Sequence, residues 1–151
     1  MATQEANNGA DRVQRSTPSS LNARIELETK QNLTEYATDK ADEIDDRIQE
    51  LDKEWDIERS LELNAAVLAL TGTVLGVFVD KRWIAVPIAV AAFLSQHAIQ
   101  GWCPPIPILR KLGFRTRKEI DKEKYALKAM RGDFKYMRGS SVNKAWQAVN
   151  D

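Results

Sequence analysis

Two apolar runs decide what this chain can become. Residues 63–79 carry no charge, residues 83–101 carry only the titratable His97, and Asp80, Lys81 and Arg82 alone stand between them. The first run is roughly 17 residues, the lower limit for a helix crossing a hydrocarbon core of about 30 Å. Three residues are too few for a domain, so the second run is expected to return across the same bilayer. Trp83 and Trp102 are nineteen residues apart, about 28 Å along a helix, which suits interfacial tryptophans on the two bilayer faces. Pro87 falls in the first turn of the second helix, where its missing N–H would be unpaired anyway. The run Cys103-Pro104-Pro105-Ile106-Pro107 ends that helix. A buried core helix in a soluble protein is the alternative, but the rest of the chain has too little apolar surface to surround one. The expected fold is all-α: an integral membrane two-helix hairpin with cytoplasmic amphipathic helices on both sides.

The bulk composition, 43% hydrophobic and 29% charged, averages two opposite regions. Residues 39–58 hold ten acids against three bases, and residues 110–138 hold eleven bases against four acids, in a chain of zero formal charge. Residues 1–20 are polar, with almost nothing to bury, and are expected to form a disordered leader. They lack the basic start and apolar stretch of a cleaved signal, so the first apolar run is expected to target the chain and remain. Residues 21–60 hold neither Gly nor Pro, and Ala37, Ala41, Ile44, Ile48, Leu51 and Trp55 recur at helical spacing. This acidic arm is one helix, or two interrupted near Asn32 or Thr34. After an interfacial segment at 103–114, a basic helix is expected over 115–132, starting at the Thr116-x-x-Glu119 capping box and stopping at Gly132. Residues 133–151 are expected to form a flexible tail. The acidic arm is expected to pack on the basic helix, joining opposite charges over small apolar stripes.

The Lys/Arg bias near the ends of the apolar runs places both termini in the cytoplasm of a multi-pass inner-membrane protein of bacterial type. Trp83, Trp102, Arg110, Lys111, Arg115 and Arg117 are the expected membrane-interface residues, with anionic lipid head groups near residues 110–118. No nucleic-acid partner is expected, because aromatic residues are not interleaved with the bases. In the hairpin, Ala65, Ala69, Gly72 and Gly76 lie near one face, and Gly72-x-x-x-Gly76 permits close helix approach. Ala85, Ala89 and Ala92 are expected to supply the matching small face on the second helix. These faces are assigned to the hairpin's own packing in preference to a dimer seam. A homo-oligomer and a protein partner both stay open.

Candidate chemistry is sparse. Glu62, Asn64, Ser95, Gln96, His97 and Gln100 are expected to form a polar layer holding the hairpin together, with a small-solute or ion site as the sharper alternative. One His and one Cys are too few ligands for a metal, and no cofactor is expected. Cys103 is the one residue whose type and position invite a reactive role, since nearby cations would favour its thiolate and apolar burial would oppose it. It is read as a structural cysteine, with sulfur or redox chemistry as the alternative.

At Gly101-Trp102-Cys103-Pro104, followed by Leu112-Gly113 and preceded by two short apolar runs, residues 58–114 resemble the YgaP-like inner-membrane domain family. Its members are similar two-helix hairpins ending in Gly-aromatic-Cys-Pro and then Leu-Gly, found alone or joined to a rhodanese sulfurtransferase domain. The resemblance implies the hairpin and marks Cys103-Pro104. Here Pro105-Ile106-Pro107 lengthens the gap to Leu112-Gly113. Neither arm has the length of a rhodanese domain, so sulfurtransferase activity is not implied. The function expected is a non-enzymatic membrane anchor or protein-interaction module with acidic and basic arms. The alternatives are a sulfur-transfer or redox accessory protein using Cys103, and an oligomeric small-solute transporter or channel.

Overall fold

The structure, a computed structural model, describes residues 11–36, 41–135 and 142. The described residues contain no strand, in keeping with the all-α expectation. Among them the helices are α1 (Arg12–Arg15), α2 (Ser19–Tyr36), α3 (Ala41–Lys53), α4 (Ile57–Phe78), α5 (Ala85–Gln100), α6 (Ile106–Lys111) and α7 (Arg117–Arg131), with a 3-10 turn at Lys81–Ile84. Two compact units result: Met1–Ile25 with Trp55–Lys118, and Glu26–Glu54 with Glu119–Asp151.

In the first unit Asp56 starts α4, its Oδ1 accepting the N–H of Arg59 at 2.7 Å from extended backbone. The helix runs for 22 residues, about 33 Å, and so begins before the apolar run. Asp80 takes the N–H of Arg82 at 2.8 Å and opens the 3-10 turn into α5. Two stretches, one ending at Phe78 and one at Lys81–Gln100, are long and apolar enough to cross a membrane.

Glycine brings α4 and α5 together. A Cβ at Gly72 would stand 2.7 Å from Val86 Cβ and 2.8 Å from Pro87 Cδ, and one at Gly76 would stand 2.5 Å from Ile84 Cδ1. The expected matching face on α5 is corrected: Ala85, Ala89 and Ala92 are all exposed. Val86 and Pro87 fill the slot over Gly72, while Val90 and Leu94 share a groove of about 240 Å³ with Ala65 and Ala69. At roughly 100° per residue, that side of α5 lies roughly 150° around the helix from the alanines. Small residues are needed on one helix only, because a glycine slot admits a β-branched residue and a proline.

In the second unit Ile44, Ile48 and Leu51 of α3 form a core with Ile120 and Leu127 of α7, and Leu33 and Tyr36 of α2 pack on it. The charges close around this core. Arg47 donates from Nε and Nη2 to Glu123 Oε1 at 3.1 and 2.9 Å, Lys124 reaches Asp52 at 2.5 Å, and Arg131 pairs with Asp45 and Asp133. The acidic helix therefore packs on the basic one as expected. One buried pair runs against the net charges, with the base on α3 and the acid on α7. Asp133 foremost, then Asp45, strengthens Arg131's hold on its proton, and Asp133 is correspondingly held below the usual carboxylate range.

Two segment expectations change. The leader is not without structure throughout: Arg12–Arg15 is helical, α2 starts at Ser19, and Val13 and Thr17 are buried. A single valine that fits a core outweighs the polar composition around it. In the arm over 21–60, Asn32 and Thr34 lie inside α2 and interrupt nothing there, and α3 starts at Ala41. Helix stops after Lys53 and restarts at Ile57, where Asp56 caps α4. Trp55, at the end of the expected stripe, is exposed and holds the Arg59 guanidinium 4.4 Å from its ring centroid. Gly132, at φ 99°, ends α7 as expected, its N–H donating to Lys128 O at 3.1 Å. Most of the tail, residues 136–141 and 143–151, and residues 1–10 of the leader lie outside the described residues, as does Ala37.

Candidate functional site

Within the first unit, long-range side-chain hydrogen bonds gather where α5 ends. Asp11 Oδ1 accepts the N–H of Gln14 at 2.8 Å and Gln14 Oε1 accepts that of Asp11 at 3.1 Å, a reciprocal cap that nucleates the four-residue α1. Val13 then enters a core of Ile57, Leu61, Cys103 and Ile106, edged by Leu94, Leu109 and Phe114. The last carbonyls of a helix have no intrahelical donor. Here α1 supplies donors: the Arg12 guanidinium bonds Ala98 O, and Ser16 Oγ bonds Gln100 O at 3.1 Å. Arg12 also places positive charge at the negative end of the α5 dipole. Gly101, at φ 74°, turns the chain there and donates to His97 O at 2.7 Å. The readable signal for α1 was the Asp11-x-x-Gln14 spacing.

The arginines expected at a lipid surface divide. Arg110 is fully buried, donating from Nη1 to Phe114 O at 3.2 Å and from Nη2 to Asn22 Oδ1 at 2.6 Å. Arg24 of α2 reaches the carbonyls of Arg110 and Lys111 at 3.3 and 3.0 Å. Arg115 is buried as well, and its carbonyl accepts the N–H of Ile57 at 3.0 Å. These two arginines knit α2, α4 and α6 together, a correction to their interfacial assignment. A charge count along a sequence cannot distinguish a base that faces solvent from one that satisfies backbone carbonyls. Lys111, Arg117, Trp83 and Trp102 are exposed.

The polar set is not joined across the hairpin by the bonds its members make. Asn64 donates to Ser60 O at 2.7 Å, Ser95 to Ala91 O at 2.9 Å, and Gln96 to Gln100 Oε1 at 3.5 Å, each within its own helix. Glu62 lies at the groove beside Ala65 and Ala66. His97 Nδ1 is buried without a hydrogen-bond partner. Asn64 and Ser95 find the i−4 carbonyl, and Gln96 the side chain one turn on, at no cost in long-range order, which explains the preference. Among the described residues no three of His, Cys, Asp and Glu are placed to hold a metal ion.

Glu58, in the first turn of α4, was not singled out by pattern. Its Oε2 is buried without a partner, and desolvation foremost raises its pKa, with Asp56 and Asp11 adding to the effect. An acid whose folded pKa is raised binds more protons folded than unfolded, so its contribution disfavours folding as pH rises from the ordinary glutamate range through the raised value. Amide protection around Ile57 and Arg117 should therefore fall as pH rises across that window. Glu58→Gln should flatten the dependence, as hydrogen exchange would read. A slope unchanged by the substitution would assign it to another group.

Cys103 is 4% exposed within the Val13–Ile57–Leu61–Ile106 core, and burial pushes its thiol pKa up. The raised pKa depletes thiolate, and the burial closes access to the sulfur. A maleimide should label the folded protein far more slowly than the denatured chain; equal rates would contradict this placement. Of the Gly101-Trp102-Cys103-Pro104-Leu112-Gly113 motif, Gly101 and Cys103 are buried, and Trp102, Pro104 and Leu112 are exposed. Gly113 takes φ 91° in the turn after α6. No family model, no curated protein and no solved structure matches this chain.

Proposed function

We propose that this chain is a non-enzymatic inner-membrane protein of bacterial type, in which α4 and α5 cross the bilayer as a hairpin with both termini in the cytoplasm. The exposure of α5 carries the proposal. None of its 16 residues is buried, and Ile88, Phe93 and Ile99 are 65%, 42% and 78% exposed. On α4, Leu70, Val77 and Phe78 are likewise 67%, 67% and 81% exposed. At about 25 cal/mol per Å², a helix pair this apolar is strongly disfavoured in water and favoured in hydrocarbon. The backbone bonds close within each helix, as a bilayer requires.

The proposed role is that of an anchor for an interaction module. The acid-and-base bundle of α3 and α7 has a core of its own and is covalently tied to the hairpin, so a partner recognising its charged surface would be recruited to the membrane. The burial of Cys103 weighs against sulfur or redox chemistry. The Gly101-Trp102-Cys103-Pro104 ending is consistent with the YgaP-like resemblance. The protein should stay in the membrane pellet after alkaline carbonate extraction, and a reporter inserted at Asp80–Arg82 should give a periplasmic signal. Release by carbonate would overturn the hairpin, and a cytoplasmic signal would overturn the topology.

A further inference from the structure

We infer that α6, with Trp102, forms a foot lying in the plane of the membrane, with Ile108 and Leu112 at the boundary between head groups and acyl chains. This rests on the hairpin proposed above and adds a lipid contact outside the spanning helices. Ile108 and Leu112 are 62% and 70% exposed, one helical turn apart on one stripe, while Ile106 and Arg110 on the opposite side are 1% and 0% exposed. The inner side is bound in place. Arg110 bonds Asn22 and Phe114, and Arg24 bonds the carbonyls of Arg110 and Lys111, so α6 cannot roll over to bury its apolar stripe.

Lipid is the occupant that fits. The stripe follows directly in sequence on the exposed apolar residues of α5, with Ile99 and Trp102 exposed between them and a helix starting at Ile106. Trp102, Ile108 and Leu112 together expose on the order of 300 Å², against roughly 800 Å² per partner in a standard protein interface. A bilayer at the end of α5 would cover them without a further recognition surface. Residues 101–118 contain no acid, and three of their bases, Lys111, Arg117 and Lys118, are exposed. That pattern suits an amphipathic segment lying on anionic phosphates.

The test uses full-length protein in phosphatidylcholine vesicles containing phosphatidylglycerol, on a Cys103→Ala background, with nitroxides at Ile108→Cys, Leu112→Cys, Phe93→Cys and Lys118→Cys. Collision with oxygen reports lipid, and collision with a water-soluble nickel chelate reports solvent. Ile108 and Leu112 should fall between Phe93 and Lys118, with an oxygen-to-nickel ratio below that of the mid-bilayer Phe93 and several-fold above that of Lys118. If both are as open to nickel as Lys118 while Phe93 is not, the foot is wrong and the hairpin stands. If both are shielded from oxygen and nickel alike, protein covers them and the foot is again wrong. Nickel access at Phe93 would remove the hairpin and the foot together.

Discussion

Glu123→Ala should unfold the second unit while the hairpin remains intact. Glu123 is fully buried, and Arg47, whose side chain is 19% exposed, points two donors at one of its oxygens. Removing Glu123 takes away the buried partner and leaves the half-buried Arg47 to Glu50, 3.0 Å away on the exposed side; breaking a buried pair costs about 3–5 kcal/mol, where the pair itself contributes far less net stability. Amide protection across α3 and α7 should fall by at least roughly a hundredfold in reconstituted protein, with α4 and α5 unchanged. The exposed pair Glu26–Lys30, at 2.6 Å with both side chains 67% exposed, is the control. Its loss should fall within error, since solvent screens it. Combining Glu123→Leu with Arg47→Met should restore much of the protection, because an apolar replacement removes both charges. If Glu123→Ala left α3 and α7 fully protected, the ion pair would not be closing this core.

The second large effect is expected at Gly101. Its φ of 74° costs a non-glycine residue about 1–2 kcal/mol, and an added Cβ would also stand 2.5 Å from the Arg12 carbonyl oxygen. Backbone cannot swing aside as a long side chain can. In Gly101→Ala, α1 should retreat, losing the Arg12 and Ser16 bonds to the end of α5 and uncovering Val13 and Cys103. Two readouts should move together: cleavage by trypsin after Arg12 or Arg15 should quicken, and Cys103 should label markedly faster. Gly113→Ala separates the causes, since Gly113 has φ 91° with nothing within 4 Å of an added Cβ. It incurs the backbone strain alone and should leave Cys103 protected. Equal labelling of the two variants would show that α1 does not rest on Gly101.

Much of the helical framework was legible because it depends on local order along the chain. Apolar runs of helical length, a charged three-residue turn, Gly72-x-x-x-Gly76, and Gly132 as a stop are each set by neighbours within a turn or two. The α3 stripe of Ile44, Ile48 and Leu51 was legible for the same reason, as was its attraction to a basic helix. The candidate site was less legible. Arg110 and Arg115 looked like surface charge, Ala85, Ala89 and Ala92 like a packing face, and Val13 like one apolar residue lost in a polar leader.

Each of those residues is defined by something distant in the chain. Arg110 is buried because Asn22, 88 positions away, offers an oxygen. The alanines face outward because Val86 and Pro87 meet Gly72 first. Cys103 is shielded because a four-residue helix returns from near the start of the described chain to cover it. By itself the sequence determined the two apolar helices with their short turn, the basic helix and the sign of each arm, all consequences of backbone bonding and side-chain periodicity. Only the tertiary structure decided which charges are buried, which face of α5 is free, and whether the thiol is open. Those outcomes depend on which partners satisfy a desolvated polar group, and periodicity carries no information about them.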